Sequence, residues 1–216
     1  MNGYGPEFLK VATVTLLAVI SPGPDFAIVV KQSLNHGHRA AVWTAFGIGT
    51  GLCLHVTYSL LGIGVLLRSS PEAFTVLKIA AAAYLAWLGV SGLRSLPRDT
   101  EARAAPETAA EGGAKPPSRQ AAWRTGFMVN ALNPKVTLFF VALFAAVISP
   151  RTPRLVQAGY GLFVPVAAMT WFCLVGYVFT RQKIRSAFLL HGHWVDRALG
   201  CVFIVFAASL ALASLR

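Results

Sequence analysis

Apolar residues in this chain are gathered into six long blocks, at 8–34, 40–67, 72–95, 122–148, 155–180 and 195–215, and polar residues fall mostly at the joints. Within a block the apolar positions run round the whole helix rather than along one stripe, the pattern of a membrane span. Each block reaches the roughly 20 residues that carry an α-helix, at ~1.5 Å per residue, across a hydrocarbon layer ~30 Å thick. The joints are short except for 96–121, where Pro97, Arg98, Asp99, Glu101, Arg103, Pro106, Gly112, Gly113 and Lys115 make a polar linker rich in Ala, Pro and Gly. The pattern predicts an all-α, polytopic membrane protein of six transmembrane helices. It forms a single transmembrane domain over 1–216: three helices over 8–95, the linker over 96–121 and three helices over 122–215.

Composition and charge sharpen this picture. Charged residues make up 12% of the 216 and hydrophobic ones 56%, with a mean hydropathy of +0.61, whereas a soluble domain carries about 25% charged residues. A charge at the bilayer centre costs about 3 kcal/mol, which accounts for the scarcity. A net charge of +11 would suggest nucleic acid in a soluble protein. Here the bases flank apolar blocks, so topology explains them and nucleic acid is not an expected partner. Cys53, Cys173 and Cys201 stand alone in apolar blocks with no CxxC pair, and read as packing residues rather than a redox or metal site. Glu7, Lys10 and the run Ser21-Pro22-Gly23-Pro24 make a poor cleavage region, so the first block reads as an uncleaved helix.

Charge also predicts orientation. The connections after the first, third and fifth blocks carry twelve bases, from Lys31 and Arg39 through the linker to Arg181 and Arg197. The opposite side carries five: Lys10, Arg68, Arg151, Arg154 and Arg216. The positive-inside rule then puts the linker in the cytoplasm and both termini in the periplasm of a bacterial inner membrane. Three spans per half, an odd number, turn the second half upside down relative to the first, so the halves are candidates for an inverted repeat.

The first span of each half is interrupted by proline, at Ile20-Ser21-Pro22-Gly23-Pro24-Asp25-Phe26 and at Asn130-Ala131-Leu132-Asn133-Pro134-Lys135. Proline lacks a backbone donor and clashes with the preceding turn, so helices 1 and 4 should open there. Freed carbonyls inside a bilayer are tolerated only against protein or a watered cavity, and two breaks at matching depth point to a solute site between them. Plain kinks are the alternative. Asn133-Pro134 has the form of an N-cap followed by proline at the first helical position, which puts Lys135 in a first turn whose dipole disfavours a cation. Asp25 follows Pro24 at the offset by which Lys135 follows Pro134, so the two charges are candidates for a facing pair. The plainer readings are dipole compensation for Asp25 and snorkelling towards an interface for Lys135.

These residues also carry a likeness. The chain resembles the lysine-exporter (LysE/RhtB) family, within it the threonine/homoserine exporter branch. The likeness rests on Ser21 to Phe26, on the glycines Gly47, Gly49, Gly51 and Gly62 of the second block, on Asn130, Asn133, Pro134 and Lys135, and on Ala83-Tyr84-Leu85 with Leu88-Gly89. It spans nearly the whole chain and weakens in the linker. The resemblance implies a six-helix exporter of amino acids or close relatives, driven by an ion gradient and lacking nucleotide-binding motifs.

Other residues stay open between two roles. His55 lies mid-span and reads equally as a proton relay or solute contact and as a satisfied packing residue; Trp171 reads as cavity lining or as packing. Lys78 snorkels, and the Gly47/Gly51 spacing reads as close helix contact. The runs His36/His38 and His191/His193 read as solvated loop histidines rather than a metal site. In the expected mechanism Lys135, the half-helix amides, Asn130 and Asn133 hold a solute carboxylate. Asp25, at the Ser21-Pro22-Gly23-Pro24 break, holds its ammonium group or takes up a proton. The expected partners are an amino-acid solute, a coupling ion (proton first), membrane lipid and a homodimeric second copy. No cofactor, metal centre or catalytic residue is expected. An exporter of another small solute or metal cation is the alternative, and an intramembrane enzyme is further away for want of a nucleophile and base.

Overall fold

The computed structural model describes residues 4–96, 116–149, 152–179 and 181–214, and among these the chain is helical with no strand. Eight helices follow one another among the described residues: α1 (Gly5–Ile20), α2 (Pro24–His36), α3 (His38–Ser69), α4 (Pro71–Leu93), α5 (Arg119–Ala131), α6 (Pro134–Val147), α7 (Arg154–Val178) and α8 (Gln182–Ser214). Four unbroken stretches have the length and apolarity to cross a membrane: His38–Gly62, Glu72–Leu93, Arg154–Val178 and Leu190–Leu212. The pairs α1–α2 and α5–α6 qualify when each is taken as one span, bent by 50° and 60° at its break. The chain is therefore a multi-pass membrane protein with four to six candidate spans among the described residues, and both bent pairs break at the prolines that the sequence singled out.

Two boundaries differ from the sequence reading. Residues 97–115 of the linker lie outside the described residues, and α5 already starts at Arg119, capped by the Ser118 hydroxyl, which accepts from Ala121 N at 3.2 Å. The last helix starts at Gln182 rather than at 195, so His191 and His193 sit in α8 and not in a loop. A stretch can be too polar for lipid and still be helical, and reading apolar blocks alone loses it. His193 Nδ1 turns back to the Leu190 carbonyl at 2.9 Å. His36 and His38 flank Gly37, whose φ of 81° lets α2 turn into α3.

Large apolar side chains such as Leu155, Leu162, Val76 and Val205 face outwards, as lipid contact requires. Apolar burial cannot hold helices together in lipid, so close backbone approach has to contribute. At the α3–α5 crossing a Cβ on Gly47 would lie 2.0 Å from the Trp123 carbonyl oxygen, and one on Gly126 would lie 2.0 Å from that of Thr44. The α4–α8 crossing repeats the device with Gly89, Gly92 and Gly200. Phe144, Ile48, Leu85 and Val29 fill the interior between these contacts.

Candidate solute-binding site

The site begins with what proline removes. Pro22 and Pro24 have no N–H, so the carbonyls of Ala18 and Ile20 lose their helical donors, and α1 closes with Ser21 N on the Leu17 carbonyl at 3.1 Å. Gly23 is extended and precedes Pro24 at the first helical position of α2, which leaves Asp25 at the second. The second break is built the same way. Pro134 deprives the Asn130 carbonyl of its donor, and two others replace it: Asn133 N at 2.9 Å and His55 Nε2 at 2.9 Å. The Asn133 side chain caps α6 by accepting from Lys135 N at 3.1 Å, so Lys135 occupies in α6 the register that Asp25 occupies in α2.

Side chains then join the two breaks. Asn130 is fully buried, and its Nδ2 donates to Asp25 Oδ2 at 2.8 Å. The carboxylate can only accept, so the amide must present its nitrogen here. Asp25 Oδ1 is buried with no hydrogen-bond partner among the described residues. His55 donates from Nε2 to the Asn130 carbonyl, which leaves Nδ1 of a neutral ring to accept from the Tyr58 hydroxyl, with Thr137 Oγ1 at 3.3 Å. Gly51 makes room for this arrangement: a Cβ there would lie 2.6 Å from Asn130 Oδ1.

A cavity of about 120 Å³ opens between the breaks, lined by Ser21, Pro22, Gly23, Pro24, Asp25, Asn133 and Lys135 and walled by Phe139, Phe140, Phe172 and Phe203. Seven of the eleven residues singled out from sequence therefore meet at one cavity. Asn130 and His55 stand behind it in the hydrogen-bonded chain, and Pro134 sets the break. Trp171 lies outside the lining and packs against the core. Asp25 and Lys135 share the cavity, but no ion pair joins them among the described residues. Lys135 is exposed, and its carbonyl accepts from the Tyr84 hydroxyl at 3.3 Å.

Sequence reasoning missed two acids. Asp196 is not among the residues that the sequence singles out, yet it is 8% exposed and lies within Leu190–Leu212. Asp25 is thus not the only carboxylate inside the bundle. Glu7 ties α1 to the opposite end of the bundle, accepting from Ser149 N at 3.1 Å and from Thr152 Oγ1 at 2.9 Å. The burial of Asp196 and the tie made by Glu7 follow from how helices rotate against one another, which a hydropathy pattern does not carry.

Two opposite charges thus share a cavity where two helices break, in a bundle otherwise clad for lipid. Likeness to known proteins places such a chain among membrane transporters rather than enzymes. The chain belongs to the LysE type translocator family, whose sequence profile matches residues 16–214. It is similar to the homoserine/homoserine lactone efflux protein of Salmonella typhimurium (strain LT2), 33% identical over 215 residues that cover 95% of this chain and 96% of that protein. It is also similar to the threonine efflux protein of Escherichia coli (strain K12), 24% identical over 206 residues that cover 95% and 97%. No solved structure matches.

Proposed function

We propose that this protein is a secondary-active exporter that moves small amino acids or close derivatives outwards across the bacterial inner membrane in exchange for protons. The observation that carries the reading is one buried, half-satisfied carboxylate, Asp25, in the same cavity as Lys135, each in the first turn of a half-helix. An α-amino acid presents the complementary pair of charges. Its ammonium group meets the open oxygen of Asp25, and its carboxylate meets Lys135 and the side-chain NH2 of Asn133, whose oxygen alone is used by the cap. The phenylalanine walls favour a short side chain. A carboxylate that holds either an ammonium group or a proton, but not both, gives a means of exchange. The efflux named for the two relatives, of threonine and of homoserine or its lactone, supports the solute class. The two halves, 8–95 and 122–215, would rock as inverted repeats about the breaks, with the linker cytoplasmic and both termini periplasmic.

Export of labelled L-threonine and L-homoserine from preloaded cells, with and without a collapsed proton gradient, tests this. Expression of the chain should accelerate loss of at least one of them, and dissipating the gradient should remove the acceleration. Unchanged efflux across a panel of amino acids would refute the reading.

A further inference from the structure

A second cavity, of about 220 Å³, lies beside the first, on the side where α4 ends. Six residues line both and so stand between them: Ser21, Pro22, Leu88, Lys135, Leu199 and Phe203. Ser21 and Pro22 belong to the break, and Lys135 carries the charge. The rest of the partition is apolar, and Phe203 is its largest member. The sequence of α8 explains why that ring stands there. Leu199, Phe203, Ala207 and Leu210 recur at the spacing of one helical face, and all four are buried. Between the first two, α8 crosses α4 on Gly200, where a Cβ would lie 2.7 Å from the Gly89 carbonyl oxygen and 2.8 Å from Leu93 N. Backbone contact this close fixes how deeply α8 sits, and with it the reach of its side chains. The Phe203 ring also rests on Phe139, their centroids 5.7 Å apart, and Phe139 meets Phe140 edge to face at 5.0 Å. A ring held from both sides does not swing away cheaply.

We propose that Phe203 is the residue that sets how long a side chain this transporter accepts. The proposal rests on the amino-acid reading above and assigns to one ring the limit that the cavity walls impose. With its charged groups at Asp25 and Lys135, a solute has the rest of a space of about 120 Å³ for its side chain. A longer chain meets the Phe203 ring. Behind that ring lies the larger second cavity, so the limit is a single side chain and not the end of available space. The other aromatic walls differ in this respect. Phe139, Phe140 and Phe172 border the first cavity alone, so shortening one of them adds its own volume and joins nothing.

The test uses the full chain in inside-out membrane vesicles, with accumulation of labelled L-threonine or L-homoserine as the readout. The competitors are L-2-aminobutyrate, L-norvaline and L-norleucine, which differ only by one methylene group per step. In the unaltered chain, norleucine should need about tenfold or more the concentration of 2-aminobutyrate for half-inhibition, the factor that overpacking against a fixed ring produces. Phe203→Ala should shrink that gap to about twofold or less, because the added methylenes then enter open apolar space. Phe203→Leu keeps an apolar side chain, guards against loss of the fold and should give an intermediate gap. Phe172→Leu makes the matching change on a wall of the first cavity alone and should leave the gap in place. A gap closed by Phe203 variants is a gain of acceptance, which general loosening of the fold would not confine to one of the two phenylalanines. Three results would overturn the assignment while leaving export intact: no gap in the unaltered chain, a gap that persists in Phe203→Ala or Phe203→Leu, or an equal closure by Phe172→Leu. Absence of transport of any amino acid by the unaltered chain would instead remove the underlying reading, and the assignment with it.

Discussion

Asn130 reaches across the bundle to Asp25, its Nδ2 donating to Asp25 Oδ2 at 2.8 Å, so the last turn of α5 is tied to the first turn of α2. The same residue's carbonyl, released by Pro134, accepts from His55 of α3. One residue thus links both broken spans and the helix between them, with its side chain on the charge and its backbone on the scaffold. The two links are separable by mutation, because a side-chain change leaves the carbonyl where it is.

Asn130→Ala should therefore cripple transport without dismantling the break. It removes the side-chain donor that Asp25 has among the described residues and leaves the carboxylate less well satisfied, at a cost of about 1–3 kcal/mol. Export normalised to protein abundance should fall about tenfold or more, the factor that such an energy sets when it falls on the binding site. Efflux from preloaded cells, with immunoblotting of the same membranes, measures both quantities. Near-normal export would show that Asp25 needs no such support.

The glycines of α3 should divide into two kinds. Gly47→Ala drives a methyl group against the backbone of Trp123 at 2.0 Å, which cannot yield unless the helices part. Overpacking of this kind costs about 1–3 kcal/mol, so the variant should unfold at lower temperature in detergent. Gly51→Ala meets the Asn130 side chain instead, at 2.6 Å, and that side chain can rotate. The expected result is a protein of nearly normal thermal stability that has lost export. If both variants lose stability equally, Gly51 serves packing alone.

The prolines made much of this legible from sequence. Missing N–H groups break a helix wherever they fall, and the equal offsets of Asp25 and Lys135 are properties of the chain that survive folding. The Gly47/Gly51 spacing likewise marked a close crossing, since glycine is what such a contact requires. Three-dimensional rotation was not legible. Which way Asn130 points, that His55 serves its carbonyl, and that Trp171 turns away from the cavity all depend on the angular setting of neighbouring helices. Asp196 went unrecognised because Arg197 beside it and an apparent span start at 195 gave both the look of a membrane edge. The described helix begins at Gln182, and Asp196 lies buried against Ser21 and Ser95.

Orientation gives a prediction independent of the site. Twelve bases flank one side of the bundle and five the other, and each base near the membrane contributes to retention on the cytoplasmic side. Reporters fused after Gly113 should be active if they need the cytoplasm and inactive if they need the periplasm. A periplasm-dependent enzyme that works at that position would invert the topology.

Asp25 and Lys135 should act as a functional pair across the cavity without being an ion pair in this conformation. Asp25→Asn and Lys135→Gln keep volume and hydrogen-bonding ability while removing charge, so insertion into the membrane should persist in both. Each should reduce export about tenfold or more, since a charge-assisted bond is worth about 1.5–3 kcal/mol. Their failures should differ in kind. Without Lys135 the solute carboxylate keeps only the Asn133 side-chain amide, so Lys135→Gln should weaken solute binding most. Asparagine cannot carry a proton in exchange for an ammonium group, so Asp25→Asn should bind solute more weakly and also lose its response to the proton gradient. Gradient-driven export and gradient-free exchange of labelled for unlabelled solute separate the two effects. In Lys135→Gln both should fall together through a raised half-saturation. In Asp25→Asn exchange at saturating solute should outlast gradient-driven export. Near-normal export by either variant at normal abundance would leave its charge as a helix-end feature, and the pairing would fail.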